Sequence, residues 1–169
     1  AYLVVDDFES YDNDENRIYD TWIDGWVNET GSTVGYESSP FAERTIVHSD
    51  KQSMPLAYEN TGGVTDSEAQ RTFVPAQDWT QAGVGTQTLF FHGVEDNAIG
   101  QIYVKINGTK VVYDGDAENV AAESWTPWNI DLPSTGANLG SVATLSIGIE
   151  GSGSGLLFID DVRLYRIAP

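Results

Sequence analysis

Both ends of this chain are short apolar strands broken by carboxylates: Leu3-Val4-Val5-Asp6-Asp7-Phe8-Glu9 at one end and Leu156-Leu157-Phe158-Ile159-Asp160-Asp161-Val162-Arg163-Leu164-Tyr165 at the other. Asp and Glu are poor strand formers. Carboxylates set among Val, Ile, Leu and Phe repel one another and resist burial unless something positive lies between them. If the two strands are neighbours in one sheet, carboxylates distant in sequence converge into an oxygen-rich cluster, the environment that a hard cation such as Ca²⁺ prefers. In the alternative, each Asp pair straddles the pleat, one residue in water and the other held by Arg, Lys or hydrogen-bond donors. With 8 Lys and Arg against 26 Asp and Glu, few cations are free for such pairing, which favours the ion.

The same charge imbalance narrows the partners. A formal charge of −18 repels nucleic acid and anionic membrane surfaces, leaving neutral or cationic ligands. No run approaches the roughly 18 consecutive apolar residues of a membrane span, so membrane insertion is not expected. The absence of cysteine removes thiol catalysis, zinc-thiolate sites and disulfides. At 169 residues the chain suits one domain spanning 1–169. The acidity and the abundance of Gly, Ser, Thr and Asn lead us to expect a secreted or cell-surface bacterial protein, monomeric and excised from something larger. Asn28-Glu29-Thr30 and Asn107-Gly108-Thr109 have the form of glycosylation sequons.

Short apolar or alternating runs recur between turn signals: Ser53 to Tyr58, Ala69 to Val74, Thr88 to His92, Gln101 to Ile106, Lys110 to Tyr113, Trp128 to Leu132, Ala143 to Glu150 and Leu156 to Tyr165. These read as strands. Asn107-Gly108 predicts a tight hairpin, because both central residues of that turn need positive φ. Gly151-Ser152-Gly153-Ser154-Gly155 predicts a second, looser one. Helical pattern is confined to about one turn each at Glu118 to Ser124 and Asp78 to Ala82. The expectation is an all-β, two-sheet antiparallel sandwich of jelly-roll topology with the N- and C-terminal strands adjacent.

Catalytic chemistry finds little support. Asp12-Asn13-Asp14-Glu15-Asn16-Arg17 begins like a calcium-binding EF-hand loop but has Arg17 where glycine is required and Ile23 where the closing glutamate belongs. His48 and His92 show no zinc spacing, and there is no nucleophile elbow or phosphate-cradling glycine loop. No compact carboxylate array on one strand points to glycoside hydrolysis.

Four segments together resemble the β-jelly-roll carbohydrate-binding modules of bacterial polysaccharide-degrading enzymes: Asp7-Phe8-Glu9, His48-Ser49-Asp50-Lys51-Gln52-Ser53-Met54, Trp125-Thr126-Pro127-Trp128-Asn129-Ile130-Asp131-Leu132 and Phe158-Ile159-Asp160-Asp161-Val162-Arg163-Leu164. The resemblance spans the chain. It implies a galactose-binding-like sandwich with a structural calcium where the first strand, the loop before a long strand and the last strand meet. On this sequence those places hold Asp7, Glu9, Asp50, Asp160 and Asp161. The family usually has Gly where this chain has Asp50, so Asp50 would contribute its main-chain oxygen only.

The resemblance further implies a non-catalytic, polysaccharide-binding role, tethered to a catalytic or other extracellular domain. Sugars present flat C–H faces and hydroxyl edges, so exposed rings and polar side chains are the expected contacts. Trp79 and Trp128 read as core. Trp22 and Trp26, bordering Tyr36, either line a loop-tip cleft or cap the core. Tyr58-Glu59-Asn60, Arg71, His92, Gln101, Tyr103 and Lys105 are candidates for a concave sheet face because they interrupt apolar strands, and Trp125, before Pro127, is a further candidate. The other reading of the same sandwich is a structural or adhesive spacer of a surface protein, without a sugar ligand.

Overall fold

Alternation decides which way each strand faces. In Gln101–Ile106 the residues Ile102, Val104 and Ile106 are buried, while Gln101 and Lys105 remain partly exposed, as the two-residue period of a pleated strand requires. The computed structural model describes residues 1–169. Its strands are β1 (Tyr2–Asp6), β2 (Ser32–Val34), β3 (Met54–Asn60), β4 (Asp66–Gln77), β5 (Thr86–His92), β6 (Gln101–Ile106), β7 (Thr109–Val112), β8 (Trp125–Asp131), β9 (Val142–Glu150) and β10 (Gly153–Tyr165). Two single-turn helices, α1 (Ile18–Thr21) and α2 (Gly25–Asn28), precede β2. One sheet has the order β2-β3-β10-β5-β8, with β1 also paired to β10; the second has the order β4-β9-β6-β7. All pairings are antiparallel.

The terminal strands are adjacent, as expected: Leu3 faces Leu164 and Tyr2 faces Tyr165 across the β1–β10 ladder. That ladder shifts register between Val4 and Asp6, and the β10–β5 ladder shifts between Asp160 and Arg163. Asp161 has φ +48 there, so the carboxylates occupy bulges rather than regular strand positions. All eight runs read as strands are strands. Asn107 and Gly108 both have positive φ, giving the tight β6–β7 turn.

One local expectation is corrected. Residues 151–155 do not close a hairpin, because β9 and β10 lie in different sheets and the glycines carry the chain across the sandwich edge. The three-residue β2 carries too little pattern to be seen in sequence. Both sequon amides are engaged: Asn28 Nδ2 donates to the Glu68 carbonyl at 2.9 Å, and Asn107 Nδ2 donates to the carbonyls of Asn138 and Ser141. A glycan would leave each of these nitrogens one N–H where it now serves two carbonyls.

One hydrophobic cluster of 31 buried residues fills the space between the sheets. Trp79 and Trp128 belong to it, as the sequence suggested, and Trp22 does too.

Candidate ligand-binding site

The outer face of the four-stranded sheet is built in rows. Glu68, Gly148, Tyr103 and Val112 lie side by side across β4, β9, β6 and β7; Gln70, Ser146, Lys105 and Lys110 form the next row. Cross-strand neighbours on one face touch. Tyr103 is fully buried although it points away from the core. Its ring lies over Gly148, where an added Cβ would stand 2.7 Å from the ring carbon Cζ. Lys110 Nζ sits 4.5 Å from the ring centroid and Lys105 Nζ 5.5 Å. The phenol donates to Glu68 Oε1 at 2.8 Å, and Lys105 donates to the same oxygen at 2.8 Å. Burial raises the Tyr103 pKa, and the Glu68 hydrogen bond adds to the rise, so the phenol stays neutral. Lys110 pairs with Glu150 Oε2 at 2.7 Å. We call this face the trough: a strip along the sheet where Tyr103 packs over Gly148 beneath ammonium, amide, hydroxyl and carboxylate groups.

The outer face of the other sheet is aromatic but occupied. His48, from the segment before β3, stacks on Phe90 with centroids 3.7 Å apart and planes 16° from parallel. Trp125 meets His48 edge-on at 5.8 Å and His92 at 5.3 Å, and His92 meets Phe158 at 5.9 Å. His48 Nδ1 and Ser49 Oγ each lie 2.6 Å from Asp161 Oδ2, and the His48 and Ser49 N–H groups donate to Asp160. The protein's own loop thus takes up the Phe90 ring face.

The five residues expected to hold calcium do not assemble. No group of three or more His, Asp or Glu side chains is arranged to hold a metal ion. Glu9 Oε1 accepts the N–H groups of Lys51 and Gln52. Asp7 accepts from the Glu9 N–H, Asp50 is exposed, and Asp160 and Asp161 face N–H and O–H donors, with Arg163 Nη2 3.0 Å from Asp161. Oxygens already serving donors are poorly placed for a cation, so this donor set does not fit Ca²⁺. The neighbouring Asp6 is neutralised by Arg71 at 2.8 Å and also accepts from Tyr11 and the Trp22 indole. Burial, then the charge of Asp161, raises the Asp160 pKa to about 7.

Several expected ligand contacts are turned inward. Trp22 is 0% exposed and held by Asp6, and Tyr58 is 3% exposed with its hydroxyl on the Ala98 carbonyl. Tyr58 shares the parity of Met54 and Leu56, which face the core, so it had to follow them. Arg71 is spent on Asp6 and the Val5 carbonyl. Tyr36 is tied to Glu43 through its hydroxyl. His92 and Trp125 do come together on one face, Tyr103 lies on the other, and Trp26 stands apart, open to solvent. Sequence reasoning missed Phe90 and His48; the parity of Phe90 with His92 was the available signal for the first.

No protein-family model matches the chain, and no curated protein matches it. Solved structures of similar shape do exist. The family 11 carbohydrate-binding module from Clostridium thermocellum, in complex with a beta-1,3-1,4-mixed-linked tetrasaccharide, superposes with TM-score 0.58 at 15% identity over 96% of this chain and 94% of that one. A family 30 carbohydrate-binding module gives TM-score 0.55 at 12% identity, covering 80% of this chain and 82% of the module. The chain has the β-sandwich fold of these carbohydrate-binding modules. The same module fold occurs within longer enzymes: the agarase AgWH50C matches with TM-score 0.64 at 10% identity over 98% of this chain and 26% of its own. The chain likewise spans 25% of an exo-beta-agarase and 23% of a beta-1,2-glucanase from Parabacteroides distasonis.

Proposed function

We propose that this chain is a non-catalytic polysaccharide-binding module that holds a larger secreted or surface protein against a glycan. The observation that carries this reading is the trough on the four-stranded sheet. Lys105 and Lys110 lie over the buried Tyr103 ring, and Glu68, Gln70, Ser146 and Glu150 flank them, giving the mixed donors and acceptors that sugar hydroxyls need. The fold adds support by analogy: the family 11 module was solved with a tetrasaccharide, and a C. thermocellum xylanase 10B containing a similar unit was solved with xylohexaose. Affinity per site would be modest and raised by tethering to a partner domain. No ion enters the binding step.

Native affinity electrophoresis tests this. The folded chain should be retarded in gels containing mixed-linkage β-glucan, xylan or agarose, and the Lys105→Ala/Lys110→Ala variant should lose most of that retardation while keeping its circular dichroism. A folded chain that runs unretarded through every such gel would reject the reading and leave a structural spacer.

A further inference from the structure

Residues 24–32 form a mount that is far more rigid than its lack of long elements suggests. Asp24, 7% exposed, accepts the Trp26 N–H with one oxygen and the Val34 N–H, at 2.7 Å, with the other. The Gly25 N–H donates to Ser32 Oγ, and Ser32 Oγ donates to the Glu68 carbonyl at 2.6 Å. Asn28 Nδ2 reaches the same carbonyl, and Thr30 Oγ1 closes onto Asn28 Oδ1 at 2.7 Å. Backbones approach so closely that a Cβ at Gly25 would stand 2.0 Å from the Thr30 carbonyl oxygen, and one at Gly31 2.3 Å from that of Glu59. Only glycine fits either position.

This locked turn points its two large apolar side chains into water. Trp26 is 83% exposed and Val27 71%. A single exposed apolar residue is ordinary; an indole on a hydrogen-bonded mount beside a polar groove is a different matter. That groove, about 300 Å³, runs along the flank where β2 and β3 of one sheet approach β4 of the other, and is lined by Trp26, Thr30, Thr33, Glu59, Thr61 and Val64. It shares no residue with the trough.

We propose that Trp26 and the groove beside it form a second, independent saccharide site, selective for neutral sugars. The indole face takes the C–H face of a pyranose, while Glu59 and the threonine hydroxyls bond its hydroxyl edge. Glu59 is the only charged residue of the groove, and no Lys or Arg lines it, so a uronate or sulfate would meet a carboxylate with no compensating cation. Neutral hexoses and pentoses meet no such cost. This site rests on the reading of the chain as a glycan binder, and it adds a second point of attachment on a separate surface.

Trp26 also supplies its own reporter. Trp22, Trp79 and Trp128 are buried and Trp125 is partly buried, so the solvent-exposed indole signal comes chiefly from Trp26. Wild type, Trp26→Ala, Glu59→Ala and Lys105→Ala/Lys110→Ala would be compared on neutral polymers (mixed-linkage β-glucan, xylan, agarose) and anionic ones (polygalacturonate, carrageenan). Acrylamide quenching would be read with and without neutral oligosaccharides. Neutral oligosaccharides should shield wild-type fluorescence from acrylamide. Trp26→Ala should weaken retention on neutral gels by about tenfold, the scale of one lost aromatic contact. The double lysine variant should keep the shielding. If wild type binds neutral polymers and Trp26→Ala binds them equally, the second site is wrong and the trough reading stands. If wild type binds no polymer, both fall. Binding confined to the anionic polymers would overturn the neutral selectivity and with it the role of Glu59.

Discussion

Tyr103 donates its phenolic hydrogen to Glu68 Oε1 at 2.8 Å while the end of its ring packs over Gly148, so a residue on the outside of the sandwich is as buried as the core. Glu68 joins two surfaces. Its carboxylate organises the trough, and its carbonyl holds the turn that carries Trp26. The glycine is what leaves room for the phenol there. Gly148→Ala would place a methyl 2.7 Å from both the ring and the Ser67 carbonyl oxygen. We expect it to cost about 1–3 kcal/mol, the range of an overpacked site. Urea denaturation with an unchanged m-value would check this; a loss near zero would mean that the ring moves freely.

Asp6 is buried and serves Tyr11, Trp22, Arg71 and the Phe8 N–H together. Asp6→Ala strands the guanidinium and the indole N–H at once. The expected cost is about 3–5 kcal/mol, as for other buried pairs broken on one side. A denaturation midpoint close to wild type would show that Arg71 carries no buried charge.

Stability should depend on pH through Asp160. Its pKa in the fold, about 7, lies above its ordinary value of 3.8, so the folded state binds the proton more tightly than the unfolded chain. The contribution is fully present below the unfolded pKa and is lost as pH rises through about 7. Asp161 faces Asp160, and the His48 and Ser49 N–H groups oppose the shift. Between mildly acidic and mildly basic pH, wild type should therefore lose more stability than Asp160→Asn. Parallel curves for the two proteins would contradict the assignment.

Chelation should do little. The carboxylates at the terminal strands are served by N–H, O–H and guanidinium donors, so the melting temperature in EDTA should equal that in excess calcium. A fall in EDTA that calcium restores would show that the donors give way to an ion, and the sequence-based expectation of calcium would return.

The strands were legible because a two-residue period survives inspection, and so was the adjacency of the terminal strands. Parity alone placed Tyr103 outward among Ile102, Val104 and Ile106; the same parity puts Tyr58 inward with Leu56, which its choice as a ligand candidate overlooked. Trp22 and Trp26 were not separable, because residues 17–31 have no sustained period and burial there is set by hydrogen bonds to distant partners such as Asp6 and Glu68. The carboxylate clusters were visible, but their partners were not. Arg71 is 65 residues from Asp6, and the backbone N–H groups that serve Glu9 and Asp160 leave no mark on side-chain identity.

The central claim is that the trough binds glycan, and amide chemical-shift mapping tests it most directly. Titrating the ¹⁵N-labelled chain with mixed-linkage β-glucan or xylan oligosaccharides should shift Gln70, Ser146, Gly148 and Lys105, with a separate set at Trp26 and Thr33. Shifts clustered instead around His92 and Trp125, or no shifts at saturating sugar, would contradict the account.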